Sequence, residues 1–411
     1  MHTPTFVRNR DGRREIDLPE IDLVVRCMRA LVSRGKDAGL QESLEQARQG
    51  TVDRRFDWEK VQREAEHHST TTLVAYVLLQ AGGDQIPQSV GERLRQRLHV
   101  TARNNLRWLA EWHHVLAAFE KAGIAVISLK GPALAVCAYG DLALREFSDL
   151  DLLIHPDNAP HARDVLEAEG YRPRDSRAGK GDAMLLRSAN RQLEFVNDER
   201  GTQIDMHWGA LHAMFPYQLP VNDLFQSSRP AQHEGTEFLS LSPEYTLLYL
   251  CVHGTKHCWI RLRWLCDVAF YLRSEQGLDW KQCASLAEAT NCGLVLKHSL
   301  LLARSVLRFE LPAEIGSFAE DKDAQALMDK ACSFMFRETA RLNEREIMRY
   351  HLAFAKGWRD SVRFLRHRIF VPAEPDWNAV RLPQPLHPLY CFVRPVRILL
   401  ERLSRTASAS S

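Results

Sequence analysis

Two aspartates one residue apart, Asp149-Leu150-Asp151, stand at the head of an apolar run that ends at Ile154. Strand side chains alternate between faces. The two carboxylates therefore share one face, and Leu150, Leu152 and Ile154 share the other. Adjacent carboxylates repel, and the arrangement is costly unless a cation sits between them. Hard oxygen donors at this spacing suit Mg²⁺, which keeps waters and usually also binds substrate phosphates. A solvated strand edge is the bland alternative, but the residues after Asp151 are too apolar for an exposed strand.

A third acid lies downstream, in the stretch QLEFVNDERGTQIDMHW at residues 192–208. Residues 193–196 predict one strand, 197–201 a turn and 202–208 the return strand. On the return strand Ile204, Met206 and Trp208 face one way, and Asp205 and His207 the other. If this strand lies beside the first, Asp205 joins Asp149 and Asp151 as a third metal ligand and general base. His207 would orient that acid or contact substrate; a satisfied structural histidine is the equal alternative.

Upstream elements must hold these groups in place. The apolar residues 125–129 predict a buried strand. It runs into Lys130-Gly131-Pro132, where Pro132 suits the first turn of a helix. Gly140 is placed to stop that short apolar helix. Gly131 serves the turn or a close backbone approach. Lys130 is a candidate phosphate contact, or else a surface or salt-bridge lysine. Arg145, just before the acids, has three readings: a partner of Asp149, a partner of Asp151, or a phosphate contact.

This order of pieces resembles the nucleotidyltransferase superfamily of DNA polymerase β. More narrowly, it is similar to a bacterial group described as uncharacterised nucleotidyltransferases. The residues that carry the resemblance are Leu129-Lys130-Gly131, Tyr139-Gly140-Asp141, Arg145, Ser148-Asp149-Leu150-Asp151 and Ile204-Asp205-Met206-His207-Trp208. His253-Gly254, Lys256-His257, Arg261-Leu262-Arg263-Trp264 and Asp267 also fit, as do Arg363-Phe364, Pro372 and Asp376-Trp377. The resemblance spans roughly residues 100–380. One departure stands out: most of the superfamily has Gly-Ser or Gly-Gly where this chain has Lys130-Gly131. Here the lysine would supply charge to the phosphates, beside backbone N–H groups at the helix start.

The resemblance implies an α+β fold: a nucleotidyltransferase-like mixed β-sheet core with helices, flanked by N-terminal and C-terminal helical domains. It implies Mg-dependent transfer of a nucleoside monophosphate from an NTP to a hydroxyl acceptor, with release of pyrophosphate. Asp149 and Asp151 would hold the first Mg²⁺, and Asp205 would help hold a second and deprotonate the acceptor. Two ions about 3.5–4 Å apart stabilise the attacking and leaving oxygens of an in-line displacement. Lys130, Gly131, Arg145, Lys256 and Arg263 would bind the nucleotide. The acceptor is open among RNA, protein, sugar and small molecules.

Composition sets the bounds. The chain has 411 residues, 45% hydrophobic and 26% charged, with a formal charge of +2. These are ordinary values for a globular protein of two or three domains. Near-neutral charge weighs against long nucleic acid as the acceptor. Nine cysteines lack paired spacing, and several sit in apolar helical runs. A reduced, cytoplasmic compartment is the simpler expectation. The N-terminus has no secretory apolar region, and no apolar run reaches eighteen residues, so a transmembrane segment is not expected.

In chain order, residues 1–15 are polar and read as loose. Helical spacing follows over 16–32 and 56–81, with a break at Gly82-Gly83-Asp84. Pro87 begins another helix, which continues over 89–122 with the stripe Leu98, Leu106, Leu109, Trp112, Val115, Leu116 and Phe119. Within the core a helix is expected over 159–169, capped by Asp157 or Asn158, and the basic 174–181 reads as a loop. Residues 210–240 read as irregular. Ser242-Pro243-Glu244 opens a helix toward His257, followed by helices over 261–275, 280–290, 294–308 and 324–356. The expected divisions are 1–100 helical, 101–235 core, 236–371 helical and 372–411 a basic amphipathic tail.

Residues 356–405 hold ten Lys or Arg against four acids. That tail would pack on its own protein, bind a partner or lie on an anionic surface. Residues 406–411 read as disordered. His253 and His257, one turn apart, invite a zinc reading. The absence of a Cys-x-x-Cys pair favours instead a helix facing the cleft, with Asp267 paired to a neighbouring arginine. Two other function classes remain. A glycosyltransferase uses Asp-x-Asp to hold a metal on a sugar nucleotide, but that reading does not need Asp205 and lacks a preceding nucleotide-binding βαβ run of useful length. A catalytically inactive nucleotidyltransferase fold kept for binding or regulation is the non-enzyme alternative.

Overall fold

The computed structural model describes residues 6–8, 14–16, 18–33, 37, 39–52, 56–174, 191–337, 342–372, 376, 379–380 and 382–408. Most of the basic segment 174–181 lies outside the described residues. Short strands β1 (Phe6–Arg8) and β2 (Arg14–Ile16) pair antiparallel within the stretch expected to be loose.

Helices α1 (Pro19–Val32), α2 (Gly39–Val52), α3 (Trp58–His67) and α4 (Thr71–Ala81) form the first layer. The expected 56–81 helix is two, because Ser69 takes a left-handed φ of 54° between them. Helix α5 (Gln88–Lys121) is unbroken over 34 residues. Its buried stripe includes Leu109, Trp112, Val115, Leu116 and Phe119, while Leu106 is 59% exposed. Trp108 takes the inward place instead. Gly123, at φ 69°, turns the chain out of the helix.

Strands β3 (Val126–Ser128), β4 (Leu150–Ile154), β5 (Arg172–Pro173), β6 (Gln192–Asn197) and β7 (Thr202–His207) follow, with α6 (Gly131–Leu134) after β3 and α7 (Ala159–Ala168) after β4. The stretch 210–240 is not irregular. It holds α8 (Val221–Gln226) and a hairpin of β8 (Arg229–His233) and β9 (Thr236–Ser240). Pro230 hid that hairpin; it is tolerated because β8 is an edge strand. Among the described residues the sheet has seven strands in the order β5-β6-β7-β4-β3-β9-β8.

The sheet separates two cores. Leu150, Leu152, Ile154, Ile204, Met206 and Trp208 pack with Trp112, Phe119 and Leu166 on the face covered by α5 and α7. The Trp112 indole N–H donates to Ser128 Oγ at 2.9 Å and pins α5 to β3. The opposite face, with Ile127 and Leu153, joins a larger core. That core includes α1 to α4 together with α9 (Pro243–Lys256), α10 (Leu262–Ser274), α11 (Trp280–Ala289), α12 (Gly293–Leu307) and α13 (Lys322–Met335). The N-terminal and C-terminal helices therefore share one interior. The Arg29 guanidinium shows it: its Nε donates 2.8 Å to Val306 O, 277 residues away.

The chain ends in α14 (Glu344–Leu352), α15 (Trp358–Phe370) and α16 (Tyr390–Ser408). The expected helix over 324–356 is thus divided into α13 and α14. Helix α16 extends through residue 408, into the segment expected to be disordered.

Candidate active site

The acids stand on the sheet face that looks toward the helical layer. Strands β4 and β7 run parallel, and their register sets Asp151 directly opposite Asp205 and Leu153 opposite His207. Ligand atoms of Asp151, Asp205 and His207 all lie within 4.8 Å of one another. The alternation read from the sequence holds: Ile204 and Met206 are wholly buried on the other face. Asp149 lies one residue before β4 and lines the same cavity.

Lys130 reaches the acids because the backbone brings it there. The Leu129 N–H donates 3.0 Å to Asp151 O, which ties the end of β3 to β4. Gly131 then takes φ 60°, a conformation costly for a side chain, and turns the chain into α6. Lys130 Nζ ends 3.0 Å from Asp151 Oδ1. His207 Nε2 lies 3.3 Å from the same oxygen.

Burial would raise the Asp151 pKa, but Lys130 and His207 outweigh it and hold the carboxyl below the usual carboxylate range. Asp149 goes the other way. Burial and the Asp151 charge push it up to about 6. Asp205 accepts 3.0 Å from Gln203 Nε2, a partner two residues away on the same strand face.

A cavity of about 310 Å³ covers these acids. Its helical wall comes from α9 and α10. Tyr249, His253 and Lys256 follow at one-turn spacings along α9, and Arg261, Arg263 and Trp264 come from the start of α10. Burial, then the Asp151 charge, raise the Tyr249 pKa well above its ordinary value, so the phenol stays neutral. Burial, then Lys130, drive His253 well below its ordinary value; burial, then Lys256, do the same to His257. Burial and Lys130 bring Lys256 down to about 8. His257 stacks on Trp264, with ring centres 4.8 Å apart.

Arg145 lines the cavity but spends most of its donors on Asp267. Its Nε and Nη2 donate to the two Asp267 oxygens at 2.9 and 3.1 Å, and Nη1 to Gly131 O at 3.3 Å. The Tyr139 hydroxyl donates 2.6 Å to Asp267 Oδ1. The sequence reading sets a neighbouring arginine against Asp267, and Asp149, Asp151 or a phosphate against Arg145; the pair instead joins residues 122 apart. Asn105 Nδ2 holds the Arg145 carbonyl at 2.9 Å, and Thr72 Oγ1 holds the Leu144 carbonyl at 3.0 Å. Helices α4 and α5 thereby fix the loop that carries Arg145.

Lys130, Gly131, Arg145, Lys256, Arg263, Asp149, Asp151, Asp205 and His207 all line this one cavity. Tyr249 and Gln203 were not singled out from the sequence, and Arg261 entered only through the resemblance, not as a site residue. The signal for Tyr249 was present: it sits one turn before His253 and two before Lys256. Among the described residues, His253 and His257 form no group of three metal-type ligands. The metal-type ligand atoms that converge are those of Asp151, Asp205 and His207; Asp149 lines the same cavity but is not in that group.

Fold and site together define the class: an α+β protein with acids on a mixed sheet facing a cationic helical wall across one cavity. The chain matches the family described as "uncharacterised nucleotidyltransferase" over residues 54–308, more than half its length. It belongs to that family. None of the curated proteins matches it. The match begins earlier than the segment that carried the resemblance, taking in α3 and α4, and ends before Arg363. No helix among the described residues is long and apolar enough to cross a membrane.

Proposed function

We propose that the protein transfers a nucleoside monophosphate from an NTP to a hydroxyl acceptor and releases pyrophosphate. The observation that carries this is the register of Asp151 opposite Asp205 beneath a wall that holds Lys256, Arg261 and Arg263. Acids for a cation and bases for a triphosphate face each other across about 310 Å³. Asp149, Asp151 and Asp205 would hold Mg²⁺. Bound there, divalent ions supply charge stabilisation to phosphoryl oxygens.

The chain's own residues do the rest. Lys130, Lys256 and Arg263 neutralise the triphosphate. Arg145, locked by Asp267, fixes the Gly131 carbonyl and so the turn that carries Lys130. His207 holds the Asp151 carboxylate in place. Asp205 takes the proton of the acceptor hydroxyl as its oxygen bonds the α-phosphorus. The α-phosphorus–oxygen bond to the β-phosphate breaks, and pyrophosphate carries that electron pair away. Neutral Tyr249 offers a hydroxyl donor without adding charge.

The test is incubation of the full chain with each of four α-labelled NTPs and Mg²⁺ in a cell lysate. Label should land on one class of acceptor, and Asp151→Asn should abolish it without unfolding the protein. Full transfer by Asp151→Asn overturns the assignment.

One observation favours a second reading. Lys130 Nζ already lies against Asp151 Oδ1, as a built-in cation would in a nucleotide-binding module that performs no transfer. NTP binding by calorimetry with no labelled product from any lysate would decide for it.

The end of the chain extends the proposal to a surface. Phe392, Val396, Leu399 and Leu400 recur at helical spacing along α16 and are between 57% and 65% exposed. An apolar stripe on a basic helix suits the interface of an anionic membrane.

A further inference from the structure

The cavity over the acids has an apolar neighbour. Met214, Phe215, Ile347, Met348 and Phe364 line a second cavity of about 200 Å³. Lys256 and His257, at the end of α9, wall both cavities. Among the described residues no carboxylate lines the second one. It is smaller than the roughly 300–1,000 Å³ of drug-sized sites, so it takes one ring or a short chain.

Three of the polar side chains around it, His351, His212 and Arg368, already have partners. His351 Nδ1 lies 3.5 Å from Tyr217 Oη, and its Nε2 lies 3.8 Å from Cys258 Sγ. His212 Nδ1 accepts from the Met214 N–H at 3.1 Å. Arg368 is ion-paired with Glu344. A nucleobase or sugar seated here would set most of its donors and acceptors against Met214, Phe215, Ile347, Met348 and Phe364, which is costly. The first cavity serves a base better, since Gln192, Arg261 and Arg263 bring hydrogen-bonding side chains to its wall.

We propose that the second cavity seats the apolar part of the acceptor, and that this acceptor is an aromatic or aliphatic alcohol whose hydroxyl reaches past Lys256 toward Asp205. The inference rests on the transfer reading and narrows it. The oxygen of that alcohol forms the new bond to the α-phosphorus, its proton passes to Asp205, and pyrophosphate leaves. Polar acceptors such as ribose ends then fit poorly, because their other hydroxyls would lie against methionine and phenylalanine.

Ligand-observed NMR on the full chain with MgNTP tests this, using benzyl alcohol and cyclohexanol against glycerol and ribose. The apolar alcohols should bind and the polar ones should not. Met348→Trp, which fills the cavity, should weaken benzyl alcohol binding about tenfold or more and leave MgNTP affinity unchanged. Ile347→Trp fills it from the neighbouring position and supplies the same reading if the first variant melts early. Equal binding of polar and apolar alcohols, or unchanged benzyl alcohol binding in both variants, overturns the inference. MgNTP affinity, measured in the same samples, fails independently if the transfer reading is wrong. Apolar alcohol binding without NTP binding would sink the transfer reading alone.

Discussion

Lys130 Nζ lies 3.0 Å from Asp151 Oδ1, the oxygen that His207 Nε2 also approaches, to 3.3 Å. The lysine therefore neutralises the acid that a divalent ion would also seek. The two cations compete for one carboxylate oxygen, yet both serve a bound triphosphate.

Lys130→Met should separate these roles. Without the competing ammonium, Mn²⁺ alone should bind about three- to tenfold more tightly, while MgNTP should bind several-fold more weakly. Each factor corresponds to roughly 1 kcal/mol, the scale of one charge interaction at about 4 Å in water. Mn²⁺ titration by electron paramagnetic resonance and NTP calorimetry read the two effects separately. Weaker Mn²⁺ binding in the variant would show that Lys130 supports the acids rather than competing for them.

Arg145 and Asp267 are both almost wholly buried, at 4% and 2% side-chain exposure. Removing one partner from such a pair strands the other charge, at about 3–5 kcal/mol. Arg145→Met should lower unfolding stability by that amount in urea, and Arg145→Met with Asp267→Leu should recover much of it. An Arg145→Met chain as stable as the parent would mean that the pair contributes little to the fold.

The sequence made the acid-bearing strands legible because period-2 alternation survives burial. At Leu150 and Leu152, and again at Ile204 and Met206, one face is apolar and the other carries the acids. Register was not written there: that Asp151 faces Asp205 follows from β4 and β7 pairing in parallel, a long-range choice. The partner of Arg145 lies 122 residues away, and no local pattern could choose Asp267 over Asp149 or Asp151. Helix α2 escaped notice because its apolar face is thin; only Leu40, Ser43, Leu44 and Ala47 are buried. The β8–β9 hairpin was hidden by Pro230 and by half-exposed strands with little alternation.

Lys256 gives the site a pH dependence of definite sign. Its pKa is brought down to about 8 by burial first and then by Lys130, against the attraction of Asp151 and Asp205. Below pH 8 the ammonium is present and assists a triphosphate; above pH 8 it is lost. MgNTP affinity should therefore fall as pH rises through about 8. Lys256→Arg keeps its charge at every accessible pH and should flatten that step, whereas Lys256→Gln should be weak throughout. Calorimetry at pH 7 and 9 suffices, and a Lys256→Arg variant with the parent's full pH step would assign the titration elsewhere.

The stripe on α16 makes the last prediction. Scattered exposed apolar residues are ordinary, but Phe392, Val396, Leu399 and Leu400 lie at spacings of four, three and one, on one side of a helix. Helix α15, packed beside it, adds Trp358 at 72% exposure and Val362 at 52%. The surrounding segment carries ten Lys or Arg against four acids, so both apolar burial and charge would favour an anionic bilayer. The protein should float with vesicles containing phosphatidylserine and stay behind with neutral ones. Raising ionic strength should weaken the association by screening. Leu399→Ser with Leu400→Ser should weaken it by tenfold or more, since each buried leucine is worth about 1.5–3 kcal/mol. Equal flotation with neutral vesicles, or no loss in the double variant, would leave the stripe without a lipid role.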